Sequence, residues 1–352
     1  MNFPRRNRAS RRTTFRRFNL FVLGVFVLSA GILTFVFQQI DEDSTSDQGE
    51  LEGDSIATIA FMDVGQGLST VIVTEDGRSL VHDFGPGRDH AEQTIGGFLN
   101  DHDIDQVDYA ILSHPHQDHL GGLPAFLEAV SVSRYIDPAL ESTNQTYAQS
   151  LEIIEDQGIE GTIARQGDTY SLGEHVELEI LWPTDQLITE SNGEHNMNEN
   201  STVVRVDIGD VSLLLTGDIE QEAENTLVES MSGALDVDIL QVSHHGSNSS
   251  SQDHFLAATS PELAAISAGA DNQYGHPHAE VIERLRGHEI QIYRTDVDGT
   301  VIIQTDGESW DVATTGAGQS WIRQFSPQHW IASNVTSMTT SSPFWYSMII
   351  SN

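Results

Sequence analysis

From Ser55 onward, apolar residues recur in short runs separated by Gly, Asp, Asn and Ser, the punctuation of strands and turns. Ile56 to Met62 is apolar on both alternating faces, as a strand buried on both sides requires. Further strands are predicted at Ser69–Thr74, Ser79–Asp83, Val107–Ser113, Val176–Trp182, Thr202–Ile208, Val211–Thr216, Val237–Val242, Leu263–Ser267 and Val301–Thr305. The pattern shifts toward helical spacing at His90–His102, Leu123–Val130, Tyr147–Gln157, Ile219–Ser230 and Ala279–Gly287. Strands first, then strands alternating with helices, predict an α/β sandwich in which helices cover two sheets.

One apolar run has another character. Leu20 to Phe37 reads LFVLGVFVLSAGILTFVF, without a charge and with Ser29 and Thr34 as its polar groups. That is about the 18 residues or more that span a bilayer. Seven arginines precede it (Arg5, Arg6, Arg8, Arg11, Arg12, Arg16, Arg17), and acids from Asp41 to Asp54 follow it. The positive-inside rule then leaves the N-terminus in the cytoplasm and the remainder outside the cell. The expected organisation is a basic segment at 1–18, a single-pass transmembrane helix at 19–40, an acidic linker at 41–54, a catalytic domain at 55–312 and a tail at 313–352. The alternative for the apolar run is a secretory signal cleaved near Ser29-Ala30-Gly31, which would release the domain.

Charge narrows the picture in one respect. The net charge is −37, and all 16 basic residues are arginine. One reading is repulsion of polyanions, hence a neutral or cationic substrate. The other is adaptation to molar salt, and the dispersal of the acids along the chain favours it. At about 1 M salt the Debye length is only about 3 Å, so net charge then says little about nucleic-acid binding. The absence of cysteine excludes disulfides and thiolate metal ligands.

The densest chemistry is SHPHQDHLGG, Ser113 to Gly122, which follows the apolar Tyr109-Ala110-Ile111-Leu112. Four potential ligands, His114, His116, Asp118 and His119, fall within six residues at a strand-to-helix turn. Imidazole nitrogen and carboxylate oxygen suit Zn²⁺, Mn²⁺ or Fe²⁺. The intervening residue of H-x-H lets both rings leave an extended backbone on one side. Asp118 and His119 would then face a second ion, about 3.5–4 Å away in two-metal sites. Gly121 and Gly122 permit close approach of the backbone. Leu213 to Leu215 ends in Thr-Gly-Asp218, a carboxylate at a strand end that serves either as a bridging ligand or as a helix N-cap. His244-His245-Gly246-Ser247 closes another apolar strand, and His276-Pro277-His278 follows Tyr274-Gly275.

These motifs resemble the metallo-β-lactamase superfamily. Their order resembles, more narrowly, the soluble hydrolase domain of ComEC-type competence proteins: Asp63-Val-Gly-Gln-Gly67, His82-Asp83-Phe-Gly85, SHPHQDHLGG, Asn200-Ser201, Leu215-Thr-Gly-Asp218, His244-His-Gly-Ser247, Tyr274-Gly-His-Pro277 and Tyr293-Arg-Thr295. Bacterial phosphorylcholine esterases of the same superfamily look similar as well. The resemblance spans about Ile56 to Trp310 and implies an αββα sandwich with two divalent ions, Zn or Mn. It implies His114 and His116 on the first ion, Asp118 and His119 on the second, Asp218 between them, and His244 completing the second site, with His245 as the alternative. Asp83 would orient ligand imidazoles from beneath. Asp118, His245 and His276 are the candidate catalytic residues, with His276 at the rim to donate a proton or hold substrate.

Three departures stand out. His116 occupies a position where many ComEC-type domains carry Asp, and Leu68 one where Asp often follows V-G-Q-G. The histidine usually found before the Gly-Asp strand has no counterpart: the region reads His195-Asn-Met-Asn198-Glu-Asn200, with Asn200 or Asn198 the nearer match. The expected activity is metal-dependent hydrolysis of a phosphodiester, DNA or RNA outside the cell. The alternatives are a small phosphodiester or ester, and a metal-binding module without catalysis. The expected partner is the membrane, through the N-terminal helix. Protease added to intact cells should therefore remove the C-terminal domain; protection until lysis would reverse the orientation.

Overall fold

The computed structural model describes residues 54–316. The apolar run at 20–37 and most of the expected tail lie outside them. Among the described residues no helix is long and apolar enough to cross a membrane.

The strands are β1 (Ala57–Phe61), β2 (Thr70–Thr74), β3 (Ser79–His82), β4 (Gln106–Ile111), β5 (Ser131–Asp137), β6 (Glu160–Ile163), β7 (Thr169–Ser171) and β8 (Val176–Trp182). They continue as β9 (Val203–Ile208), β10 (Val211–Leu215), β11 (Ile239–Gln241), β12 (Leu263–Ile266), β13 (Gln291–Arg294), β14 (Val301–Thr305) and β15 (Trp310–Thr314). They form one sheet in the order β15-β14-β1-β2-β3-β4-β5-β6 and a second in the order β13-β12-β11-β10-β9-β8-β7.

Three apolar layers follow from strands that are buried on both faces. In β10, Leu213 and Leu215 face the space between the sheets, where they meet Ile59, Phe61, Ile111 and Ile303. Leu214 points the other way, into a layer with Leu227, Phe255 and Val281. In the first sheet Ala60, Val71 and Val81 face outward onto Phe98, Phe126 and Tyr147. The helices holding these outer residues, at Gly96–Asp101, Leu123–Ala129, Gln145–Gln157, Gln221–Leu235, Asp253–Thr259 and Ala279–Gly287, complete the αββα sandwich.

Five strands are absent from the sequence-based expectation, β5, β6, β7, β13 and β15; β5 lies inside its sheet between β4 and β6, and the other four lie at sheet edges. β6 and β7 are short, lie at sheet edges and expose most of their side chains. Their pairing comes from the neighbouring strand rather than from an apolar pattern of their own. β15 likewise closes an edge, pairing with β14 from Thr305↔Trp310 to Val301↔Thr314, so the first sheet includes residues 313 and 314.

Each sheet combines antiparallel and parallel pairing. The steps β3-β4-β5-β6 and β10-β11-β12-β13 are parallel. Their C-terminal ends therefore gather at one edge of each sheet. The β1–β2 loop and the segment entering β9 reach these edges too, because each antiparallel step reverses direction.

Glycine makes the junction tight. A Cβ at Gly121 would collide with the Pro86 carbonyl, and one at Gly122 with the Phe84 carbonyl and the Ala91 side chain. Gly87 faces open space. Gly122→Ala is expected to destabilise the fold by roughly 1–3 kcal/mol through overpacking, with Gly87→Ala near neutral. Urea denaturation of both variants measures the difference, and equal midpoints would refute the tight junction.

Candidate metal centre

β3 runs directly into Asp83, which is fully buried and adopts a positive φ of 63°. Its Oδ1 accepts the Ser113 backbone N–H at 2.7 Å, and its Oδ2 accepts the Ser113 hydroxyl at 2.7 Å. The same Oδ2 lies 2.7 Å from His119 Nδ1. Asp83 thus ties the strand-to-helix turn to the adjacent strand end and leaves His119 Nε2 pointing across to the second sheet.

What it meets there is Asp218, buried beyond the end of β10. Asp218 Oδ2 lies 3.2 Å from His119 Nε2, 3.7 Å from His245 Nε2, 3.8 Å from His244 Nε2 and 3.9 Å from His114 Nε2. Asp118 Oδ2 stands 3.3 Å from His245 Nε2, and His116 Nδ1 lies 2.8 Å from His114 Nε2. Two sets of potential ligands emerge, His114–His119–Asp218 and Asp118–His119–His245, each with its donor atoms within 4.8 Å of one another.

Asp218 does not cap the helix that follows it. Glu199 does so from a different loop: its carboxylate accepts backbone N–H groups of Glu220, Glu222 and Ala223 at 3.1, 3.0 and 2.9 Å. The Asp218 carboxylate is thereby left facing the imidazoles.

Electrostatics and hydrogen bonding both suit a cation. Burial alone would lower the His119 pKa, yet the carboxylates of Asp218, Asp83 and Asp118 hold it well above the usual histidine value. Burial would raise Asp218, but His119, His245 and His244 keep it well below the usual carboxylate range. A field that favours a proton here also favours a metal ion in its stead. His119 Nε2, His245 Nε2, Asp218 Oδ1 and Asn198 Oδ1 are buried without hydrogen-bond partners. Stranding such atoms costs about 1–3 kcal/mol each, whereas coordination would satisfy them. An all-nitrogen-and-oxygen set fits Zn²⁺, Mn²⁺ or Fe²⁺.

Two sequence-based assignments need correction. The resemblance implies His244 on the second ion with His245 as the alternative; the structure groups His245 with Asp118 and His119 instead. Both adopt left-handed backbone, with φ of 50° and 54°, so the turn sends consecutive rings in different directions. His245 is 2% exposed, with Nδ1 bonded to the Ser267 carbonyl at 2.8 Å and Nε2 aimed at Asp118 and Asp218. His244 instead pairs through Nδ1 with Glu220 at 2.8 Å. Asn200, expected near the ions, lies outside the ligand sets. Its Oδ1 accepts the Ile188 N–H and its Nδ2 donates to the carbonyls of Ile188 and Asn196, so it staples its own loop. Asn198 reaches the cleft in its place.

The cleft measures about 320 Å³ and is lined by Gln66, His116, Asp118, Asn198, Asp218, His244, His245, Tyr274 and His276, among others. His276 is at the rim; burial, together with the imidazoles of His244, His245 and His278, pushes its pKa down to about 4. Gln66 is held by its Oε1, which accepts the Gly269 N–H at 3.1 Å, while its Nε2 is buried without a partner. Leu68 is buried, and its N–H donates to the Asp118 carbonyl at 3.1 Å, so that position serves packing and loop shape. Sequence reasoning singled out the segment around Gln66 but gave that side chain no role. Glu220 carried no signal, because its partner His244 is far along the chain.

Metal-ligand geometry at the meeting edges of an αββα sandwich defines the class. The sequence model of the Metallo-beta-lactamase superfamily matches residues 62–270, and the chain belongs to that superfamily. Among curated proteins it is 29% identical over 290 residues to ComE operon protein 3 of Bacillus subtilis, covering 80% of this chain and 36% of that one. It is 32% identical over 246 residues to Competence protein ComA of Neisseria gonorrhoeae, covering 70% and 32%. Recombination protein 2 of Haemophilus influenzae is 32% identical over 243 residues, covering 68% and 28%. The chain thus spans about a third of the length of these relatives, all ComEC-type competence proteins.

The corrected ligand assignment has a direct consequence. His245→Ala should lose bound metal on buffer exchange, while His244→Ala should retain it. Asp83→Asn, which changes the partner of His119 Nδ1, should weaken metal affinity about 10–100-fold. Elemental analysis and competition with a chelator read all three. Equal metal loss in both histidine variants would count against the assignment.

Proposed function

We propose that this chain is a metal-dependent phosphodiesterase that cleaves nucleic acid, with its catalytic domain outside the cell. One observation carries the reading: a single buried carboxylate oxygen, Asp218 Oδ2, lies within 3.2–3.9 Å of four imidazole nitrogens drawn from loops of both sheets. His114, His116, Asp118, His119, Asp218 and His245 would hold two divalent ions. Such ions supply Lewis acidity toward water and toward phosphoryl oxygens. Relatives named for competence and recombination direct the substrate reading to nucleic acid.

The chain's own groups do the rest. Gln66 Nε2, fixed by the bond its Oε1 accepts, is positioned to donate to a non-bridging phosphoryl oxygen. His244 presents Nε2 toward the cleft with Glu220 behind it. Although burial lowers its affinity for a proton, the hydrogen bond to Glu220 opposes that and favours the protonated ring. This pair is arranged to deliver a proton to the leaving oxygen. His276, neutral at physiological pH, holds substrate at the rim and leaves that proton transfer to His244.

Incubation of the purified chain, in high salt with Mn²⁺ or Zn²⁺, with linear DNA, RNA and a chromogenic phosphodiester tests the reading. Cleavage of nucleic acid is expected, with loss on chelation and in Asp218→Asn. His244→Ala should keep its metal while kcat falls about 10²–10⁴-fold, the usual scale of general acid–base help. Gln66→Ala should also keep metal and lose activity. Two bound metals without hydrolysis of any substrate would make this a metal-binding module. Hydrolysis confined to small esters would transfer the assignment to phosphorylcholine-esterase-like chemistry.

A further inference from the structure

We propose that Tyr274, backed by His276, is a stacking platform for the nucleobase beside the scissile phosphate, and that the site therefore takes an unpaired strand. The proposal rests on the nucleic-acid reading above and adds what the cleft grips. Tyr274 is 55% exposed, and it lines the cleft. The other exposed large hydrophobic residues among those described, Leu151, Ile163 and Val297, do not line it.

Tyr274 is the outer member of a ladder of rings. It lies 5.7 Å from His276 with planes 25° apart, and His276 lies 6.3 Å from His245 with planes 22° apart. The ladder leads from a buried candidate ligand to solvent. A planar group laid on the outer face would continue it and remain close to the ions.

The platform is preorganised. Asn272 Oδ1 accepts the backbone N–H groups of Tyr274 at 3.1 Å and His276 at 3.0 Å. Asn272 Nδ2 donates to the carbonyls of Gly269 at 2.8 Å and His276 at 2.6 Å. One side chain thus closes the loop under the rings, which lowers the entropy lost on binding.

Charge explains why stacking is needed. Among the described residues no arginine lines the cleft, and the protein has no lysine. Phosphate contacts by basic side chains, the usual source of affinity for a polyanion, are missing there. Stacking on an aromatic face tolerates any base and needs no basic side chain. In a duplex each base already has neighbours on both faces, so only an unpaired base can offer one to Tyr274. A quaternary ammonium group would also sit on an aromatic face, and the test separates the two.

Binding to the metal-loaded full chain is measured by fluorescence anisotropy for a short oligothymidylate, an abasic strand of equal length and a duplex. Wild type should prefer the base-bearing single strand to both others. Tyr274→Ala should weaken binding of that strand roughly 5- to 100-fold, leave the abasic strand unchanged and preserve metal content. Tyr274→Trp should restore it. Equal effects on base-bearing and abasic strands, or no effect, would overturn the platform. So would Tyr274-dependent binding of choline without such binding of the strand. Cleavage measured alongside separates the two readings. Tyr274-dependent binding without cleavage leaves the platform standing and removes the hydrolase, whereas cleavage indifferent to Tyr274 does the reverse.

Discussion

Three carboxylates, the buried Asp83 and Asp218 and the half-buried Asp118 at the cleft, converge on one buried imidazole, His119, and the rest of the architecture is arranged around that convergence. Like charges brought together away from water repel one another and lose hydration. The arrangement holds only with positive charge among them, whether a proton on His119 or a metal ion. The same electrostatic demand that makes the cluster costly when empty makes it selective for cations when filled.

Two sheets must therefore meet with little tolerance. The first contributes Asp83 and the His114–His119 turn; the second contributes Asp218 and His245. Thr202 N–H to the Ser113 carbonyl ties one edge to the other, while Leu68 N–H to the Asp118 carbonyl and His244 N–H to the Gly217 carbonyl hold the loops within each edge. Gly217, at a φ of 56°, packs against Ser113 and Ser201 with no room for a Cβ. The glycines and serines flanking the ligands are thus as much a part of the centre as the histidines.

Buried acids outside the centre support it indirectly. Glu199 takes over the helix cap that Asp218 would otherwise supply. Glu224 accepts the backbone N–H groups of Ser251 and Gln252; burial pushes its pKa up to about 7, although those hydrogen bonds oppose the shift. The loop it holds, Ser247 to Ser251, also receives Arg284 and presents Ser249 to Glu220. Through Glu220 this loop sets the direction of His244. In a chain so rich in acid, a small number of carboxylates taken out of water decide where the histidines point.

Much of this was legible in the sequence. Strands buried on both faces announce themselves as apolar runs, as in β1, β10 and β14, and partly exposed ones by alternation with charged residues, as in β8 and β9, so all five could be placed within a residue or two. The ligand cluster at Ser113–Gly122 is local, and local spacing on a strand-to-helix turn suffices to bring its side chains together. Edge strands such as β6 and β7 were not legible, because an exposed edge is specified by its neighbour. Nor was the choice between His244 and His245. Both are histidines at one turn, and only the Ser267 carbonyl on one side and Glu220 on the other separate their roles. Asn200 and Asn198 differ for the same reason: the first meets the backbone of its own loop, the second the cleft. The sequence by itself determined which chemistry is present and on which strand ends it lies. The tertiary structure decided which atom of each side chain is left unpaired and facing the centre, because the groups that orient these imidazoles, the Ser267 carbonyl for His245, Glu220 for His244 and Asp83 for His119, come from distant segments.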